Sequence, residues 1–107
     1  MKICITSLGD NLDSKVDPRF GRAMYFIIID TETDDFEVIK NPAVDAGGGA
    51  GTQSSQLMMD KGVKVVITGN IGPNAMQILK SADIKILTKA DGTVKEVYHA
   101  YKEGKLK

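Results

Sequence analysis

The chain has 107 residues, in which fourteen lysines and arginines balance fourteen aspartates and glutamates. This length predicts one domain spanning 1–107, and the balanced charge disfavours general attraction to nucleic acid or to an anionic membrane. Cys4 is the single cysteine, which excludes an intrachain disulfide and a metal site built from four cysteines. The first apolar run turns polar at Ser7, too early for a signal peptide or a membrane span, so we expect a cytoplasmic protein.

Three short segments rich in β-branched and aromatic residues predict the first three strands. Residues 2–7 predict a buried strand, and residues 25–30 and 36–40 predict a hairpin joined across a polar turn. Residues 8–24 connect the first two strands. This connection is longer than is usual in a small domain, which indicates a functional or mobile loop.

The second half of the chain alternates helices with strands. Cap, glycine and proline residues mark two helices: one begins with Thr52 as its N-cap and stops at Gly62, and the next begins with Pro73 and ends at Asp83. The remaining elements are strands over 63–68 and 84–88 and a last helix with Val94, Val97, Tyr98 and Tyr101 on its buried face, ended by Gly104.

This order predicts an α/β domain of three layers with a mixed five-stranded sheet. The first three strands form an antiparallel meander, and right-handed crossovers make the last two strands parallel to the first. The connections after strands one, three, four and five then lie at one edge of the sheet. They span residues 8–24, 41–51, 69–72 and 89–92. Ligands of open α/β sheets bind at such an edge.

Two glycine-rich turns at this edge indicate an anion site. Residues 47–51 precede the first helix, and residues 69–72 precede the second. Glycine lets backbone N–H groups approach a ligand closely, and a helix N-terminus favours negative charge. Alternatively, the first turn is only a flexible loop and the second an ordinary helix opening. Neither turn has the spacing of a nucleotide-hydrolysing phosphate loop, so we do not expect nucleotide hydrolysis.

Two arginines and a phenylalanine lie in the loop after the first strand. Arg19 and Arg22 carry the planar donor fork that suits carboxylate, phosphate or sulfide-bearing anions. In the alternative interpretation these arginines pair with Asp17 and other surface acids, while Phe20 fixes the loop to the domain. We favour the alternative for Phe20 and leave both open for the arginines.

These motifs together resemble the dinitrogenase iron-molybdenum cofactor biosynthesis domain family. The likeness covers nearly the whole chain and is carried by Arg19-Phe20-Gly21-Arg22-Ala23, Gly49-Ala50-Gly51, Gly62-Val63, Val66-Ile67-Thr68-Gly69 and Ile71-Gly72-Pro73-Asn74-Ala75. The resemblance implies an α/β fold with a ribonuclease H-like motif. It also implies a nitrogenase-related role in carrying iron-molybdenum cofactor or its iron–sulfur precursor between assembly proteins.

The resemblance and the motifs together define a set of candidate binding residues. These are Arg19, Phe20, Gly21, Arg22, Gly48, Gly49, Ala50, Gly51, Gly69, Asn70, Gly72 and Asn74. Some relatives have a histidine, a plausible metal ligand, at the position of Gly48. Because glycine has no side chain, direct ligation of a metal at that point is not expected here. Cys4 is the one candidate metal ligand, although a core position is the favoured interpretation of its place in a buried strand.

The favoured function is therefore a small carrier that transiently binds an anionic iron–sulfur or iron-molybdenum cluster. Its expected partners are the cluster and cofactor-assembly proteins; the oligomeric state stays open. A ribonuclease H-like nuclease needs carboxylates on its central strands, and residues 2–6 and 63–68 contain none, so we do not expect an enzyme. The alternatives are a sensor of nucleotides or other phosphate-bearing small molecules and an interaction module without a cofactor.

Overall fold

The computed structural model describes residues 1–45 and 48–106. Ala46, Gly47 and Lys107 lie outside the described residues, and Gly47 is the first position of the predicted glycine run. Within the described ranges the chain forms five strands and three helices. In chain order these are β1 (Lys2–Ser7), β2 (Tyr25–Asp30), β3 (Phe36–Lys40), α1 (Ala50–Asp60), β4 (Val63–Ile67), α2 (Pro73–Ser81), β5 (Lys85–Leu87) and α3 (Val94–Lys102). None of the helices in this part of the chain has the length and apolar character needed to span a bilayer.

The sheet has the order β3-β2-β1-β4-β5. Strand β2 is antiparallel to both β1 and β3, whereas β4 is parallel to β1 and β5 is parallel to β4. The predicted meander and parallel strands are therefore confirmed. Because β1, β3, β4 and β5 run in one direction, their carboxyl ends share one edge of the sheet.

Helices cover both faces of this sheet, which gives the predicted three layers. Alternate residues of β1 enter different cores: Ile3 and Ile5 pack with the buried face of α3, whereas Cys4 lies in the core that contains Met58 of α1 and Leu79 of α2. Full burial of an isoleucine or leucine side chain contributes about 1.5–3 kcal/mol, so the two cores stabilise the sheet from both of its faces.

The start of helix α1 differs from the sequence prediction. The helix begins at Ala50, and its N-cap is Gly49, with a φ of 75° in the left-handed region. Glycine adopts this conformation without the steric cost that a Cβ would add, so the chain turns into the helix before Thr52. Thr52 is consequently the third helical residue and not the N-cap. The fifth strand is also shorter than predicted, covering Lys85–Leu87.

The long connection after β1 is held by main-chain hydrogen bonds. The Leu8 N–H donates to the Lys15 carbonyl at 2.9 Å, and the Asp17 N–H donates to the Thr6 carbonyl at 3.0 Å. The Thr6 hydroxyl in turn donates to the Asp17 carbonyl at 2.7 Å. These bonds fix residues 16–18 against the end of β1, from where the arginine loop begins.

Candidate functional site

A cleft of about 560 Å³ opens at the edge where β1 and β4 end. Three segments line it: the arginine loop after β1, the first turn of α1, and the β4–α2 turn with the first turn of α2. Its lining residues are Arg19, Phe20, Gly21, Arg22, Ala50, Gly51, Asn70, Ile71, Gly72, Pro73, Asn74 and Ala75. Most of the candidate binding residues are thus brought together; Gly48, Gly49, Gly69 and Cys4 are not part of this lining.

The N-termini of α1 and α2 both contribute to the cleft. Their N-cap residues are Gly49 and Gly72, which have no side chain to cap the first turn, and neither first turn contains an acidic residue. The first amides of an α-helix have no acceptor within the helix. Pro73 has no N–H, so the cleft-lining residues that bring an amide N–H from these two first turns are Ala50, Gly51, Asn74 and Ala75. Two positive helix ends therefore meet at one site.

Close backbone packing allows this convergence. A Cβ built on Gly51 would lie 3.2 Å from the Cβ of Ala75, so the first turns of α1 and α2 are nearly in contact. A Cβ on Gly21 would lie 3.0 Å from the amide nitrogen of Gly51. Glycine at both positions lets the arginine loop and the two helix ends approach one another.

Asp17 holds Arg19 at the cleft. Its buried carboxylate accepts from the Arg19 amide at 3.0 Å, from Nε at 3.2 Å and from Nη2 at 3.3 Å, and also from the Met24 amide at 3.0 Å. Hydrogen bonding to Asp17, with its negative charge, raises the pKa of Arg19. The Arg19 side chain is 54% exposed, and three of the five guanidinium N–H groups take no part in these bonds.

Arg22 and Phe20 have different surroundings. Arg22 Nη1 donates to the Val44 carbonyl at 3.3 Å and not to a surface acid, because residues 41–45 pass beside the arginine loop. Phe20 is buried, and its ring centroid lies 5.8 Å from that of Phe26. The interpretation of Phe20 as the anchor of the loop fits this packing.

Gly69 supports the cleft from outside its lining. A Cβ on Gly69 would lie 2.6 Å from the Cα of Pro18, so only glycine permits the contact between the β4–α2 turn and the arginine loop. The Asn70 amide donates to the Pro18 carbonyl at 2.6 Å, which leaves the exposed Asn70 side chain as the polar group for the cleft. The connection after β5 also braces this turn, with the Lys89 amide on the Gly69 carbonyl at 2.8 Å, and does not line the cleft.

Cys4 lies away from these donors. Its side chain is fully buried in the core beneath α1 and α2, and burial raises the pKa of its thiol. Among residues 1–45 and 48–106, no group of three or more histidine, cysteine, aspartate or glutamate side chains is placed to hold a metal ion. The cleft offers amide and guanidinium N–H donors, which bind anions through hydrogen bonds and charge and do not coordinate metal ions.

Sequence reasoning did not identify Asn41 and Ser54, which support the arginine loop. Both are buried, and both donate to the Gly21 carbonyl at 3.0 Å. The Asn-Pro pair after β3 marks a turn in the sequence. Its partner in the arginine loop is about twenty positions away, and no local pattern reveals that contact.

The sequence profile of the family described as dinitrogenase iron-molybdenum cofactor matches residues 1–104. The chain belongs to this family. The resemblance seen in the motifs is therefore confirmed. The chain is also 32% identical over 110 residues to an uncharacterized protein of Methanocaldococcus jannaschii, in a match that covers 99% of this chain and 93% of that relative.

Two solved structures share the fold along nearly the whole chain. One is the apo form of the orange protein from Desulfovibrio gigas, which is 35% identical with a TM-score of 0.95, covering 99% of this chain and 90% of that one. The other is the NMR structure of a Thermotoga protein provisionally described as a NifB protein, which is 42% identical with a TM-score of 0.86 and the same coverage. Both similarities show that the chain shares its fold with these two proteins.

Proposed function

We propose that this protein carries an anionic metal–sulfur cluster, of the iron–sulfur or iron-molybdenum kind, in the cleft between α1 and α2. The observation that carries the proposal is the meeting of two glycine-capped helix N-termini with two arginines at one site. A polyanion there gains hydrogen bonds from unpartnered amides, attraction from both helix dipoles and charge-assisted bonds from the guanidinium groups. Membership of the iron-molybdenum cofactor family supports a cluster as the cargo.

The mode of binding follows from the donors. The amides of Ala50, Gly51 and Asn74 contact acceptor atoms on the outside of the cluster, while Arg19 and Arg22 offset its charge. Cys4 takes no part, because its thiol is sealed in the core. Binding through hydrogen bonds and charge exchanges more readily than thiolate ligation, as a carrier requires.

We also propose where the protein acts and which proteins it serves. It acts as a carrier and not as an enzyme, in the cytoplasm, and passes the cluster between cofactor-assembly proteins. The cluster is cargo in this account. The protein that donates the cluster recognises the carrier while the cleft is empty, and the protein that accepts the cluster recognises it while the cleft is loaded.

Anaerobic titration of the protein with isolated iron-molybdenum cofactor tests the proposal. We expect a coloured complex whose affinity falls at least about tenfold when Arg19 and Arg22 are both replaced by alanine, since each charge-assisted hydrogen bond contributes about 1.5–3 kcal/mol. The control is Lys64→Ala with Lys95→Ala, which removes the same charge from exposed positions outside the cleft. Equal affinity of the two double variants would refute a role for the arginines.

The same glycine-capped helix ends also suit phosphate, so a nucleotide or phosphate-bearing metabolite is the second candidate cargo. A thermal-shift panel of nucleotides and sugar phosphates separates the two. A ligand at one hundred times its dissociation constant adds about 2.7 kcal/mol of stability. If a phosphate compound stabilises the protein and the cofactor does not, the cargo is the phosphate compound and not the cluster. A flat response to both would favour an interaction module without a cofactor.

A further inference from the structure

Two buried side chains converge on a single carbonyl group beside the cleft. Asn41 Nδ2 and Ser54 Oγ each donate to the Gly21 carbonyl oxygen at 3.0 Å. Both residues are only 1% exposed. A carbonyl oxygen has two lone pairs, so these two donors saturate it. Asn41 Nδ2 also donates to the Ala23 carbonyl at 2.9 Å, and Asn41 Oδ1 accepts from the Ala43 amide at 2.8 Å, which fixes the orientation of the side-chain amide.

The place of this carbonyl makes its orientation important. Gly21 runs beside the first turn of α1, where a Cβ on Gly21 would lie 3.0 Å from the Gly51 nitrogen. The N-cap residue Gly49 offers no side-chain acceptor to the first-turn amides. A nearby backbone carbonyl is therefore the natural group to cap them. Ser54 is on α1 itself, one turn beyond Ala50, and draws the Gly21 carbonyl to the side of the helix.

We infer that Asn41 and Ser54 are positioning residues that keep the Gly21 carbonyl from capping helix α1. The Gly21 carbonyl oxygen accepts hydrogen bonds from these two side chains and not from the first turn of α1, so the amides of Ala50 and Gly51 stay available to an incoming anion. The benefit to binding rests on the proposed function. The orientation of the carbonyl does not, and it is measurable in the protein without any ligand.

Amide hydrogen exchange followed by NMR tests this inference on the whole chain. In Ser54→Ala, the Gly21 carbonyl loses a donor and turns to α1, so the Gly51 amide exchanges about tenfold more slowly than in the unaltered protein. A purely structural role for Ser54 predicts the opposite, because destabilisation speeds exchange. The matched control is Ser55→Ala: Ser55 is equally buried and donates to the Gly51 carbonyl at 2.7 Å, but not to Gly21.

A second variant guards against a failure of the first to fold. Ser54→Cys keeps a side chain at this buried position, but its S–H group is a weaker donor to the Gly21 carbonyl than the hydroxyl, so it is expected to slow Gly51 exchange in the same direction. Titration of Ser54→Ala with isolated iron-molybdenum cofactor should show about tenfold weaker binding, with Ser55→Ala unchanged. Unchanged or faster Gly51 exchange in both Ser54→Ala and Ser54→Cys overturns the inference. Slower exchange in a protein that never binds the cofactor supports the positioning role and overturns the proposed cargo.

Discussion

The N-terminus of α3 and the N-termini of α1 and α2 satisfy their backbone donors in opposite ways. At α3, the Thr93 hydroxyl accepts from the Glu96 amide at 3.1 Å, and Glu96 Oε1 accepts from the Thr93 amide at 2.9 Å. This reciprocal capping box is complete. At α1 and α2 the cap positions are glycines, and the first turns open on the cleft.

The two kinds of helix end therefore differ in location as well as in capping, since only the uncapped ends line the cleft. Helix α3 begins outside the cleft and supplies its own acceptors. Glycine instead of serine or aspartate at a cap costs about a few tenths of a kcal/mol in stability. We interpret that cost at α1 and α2 as the consequence of leaving the donors for an external anion.

The largest expected effect comes from giving α2 the cap that it lacks. Gly72 has an extended backbone with φ −73°, and a Cβ there meets nothing within 4 Å, so Gly72→Asp fits without strain. The new carboxylate accepts from the first-turn amides and repels an anion. We expect cofactor affinity to fall at least about a hundredfold, while the free energy of unfolding rises by about 0.5–1 kcal/mol.

Gly72→Ala is the control for this variant, because it adds a Cβ without an acceptor. It should keep cofactor affinity close to that of the unaltered protein. The pair is measured by anaerobic titration together with chemical denaturation. Loss of binding in both variants would show that Gly72 matters for its size and not for the cap that it withholds.

A second substitution tests the support of the cleft. In Gly69→Ala the new Cβ would lie 2.6 Å from the Pro18 Cα, so the β4–α2 turn and the arginine loop must separate. We expect a loss of about 1–3 kcal/mol in the free energy of unfolding, typical of overpacking. Gly48→Ala is the matched control, since a Cβ there meets nothing within 4 Å. Denaturation of both variants checks this, and equal stabilities would contradict the close contact.

The strand pattern was predictable because it depends on local composition. Continuous apolar runs mark β1 and β4, and alternation of buried residues follows from the two-residue period of a strand. The common edge followed from strand direction alone. The predicted start of α1 was wrong. Thr52 is a residue type that favours the N-cap position, but the left-handed conformation of Gly49 starts the helix earlier, and that conformation depends on the loop and not on a capping side chain.

The site was predicted in part for a similar reason. Glycine-rich turns and arginines carry their chemistry in their residue type, so Gly51, Gly72 and Arg19 were named as candidates from the sequence, and all three line the cleft. Gly69 was assigned to the binding surface, whereas its glycine is required by contact with Pro18. That contact joins segments far apart in the chain. The long-range bonds of Asn41 to the arginine loop escaped prediction for the same cause.

A moderate effect is expected from removing the cap that α3 has. Thr93→Ala deletes the acceptor for the Glu96 amide and should lower the free energy of unfolding by about 1 kcal/mol. Cofactor affinity should not change, because α3 begins outside the cleft. Denaturation and anaerobic titration of this variant check both statements. A loss of cofactor affinity in Thr93→Ala would contradict the expectation that only the open ends of α1 and α2 contribute to binding.

The smallest expected effect is the pH dependence of the same cap. Glu96 accepts the backbone N–H of Thr93, which lowers the pKa of its carboxyl group below the ordinary value of 4.5. Its contribution to stability is present above that ordinary value and is lost as the pH falls through the lowered pKa of the folded protein. Glu96→Gln keeps an acceptor but does not titrate. Denaturation from pH 7 down to acid should therefore show a shallower decline for Glu96→Gln than for the unaltered protein; parallel curves would exclude the titration.

We expect the open ends of α1 and α2 to receive the anion. Anaerobic titration of ¹⁵N-labelled protein with isolated iron-molybdenum cofactor, followed amide by amide in NMR spectra, tests it most directly. The Gly51 and Asn74 amide signals should shift or broaden at the lowest cofactor ratios, while the Glu96 signal stays unchanged. Perturbation centred on Glu96, or unchanged Gly51 and Asn74 signals in excess cofactor, would contradict it.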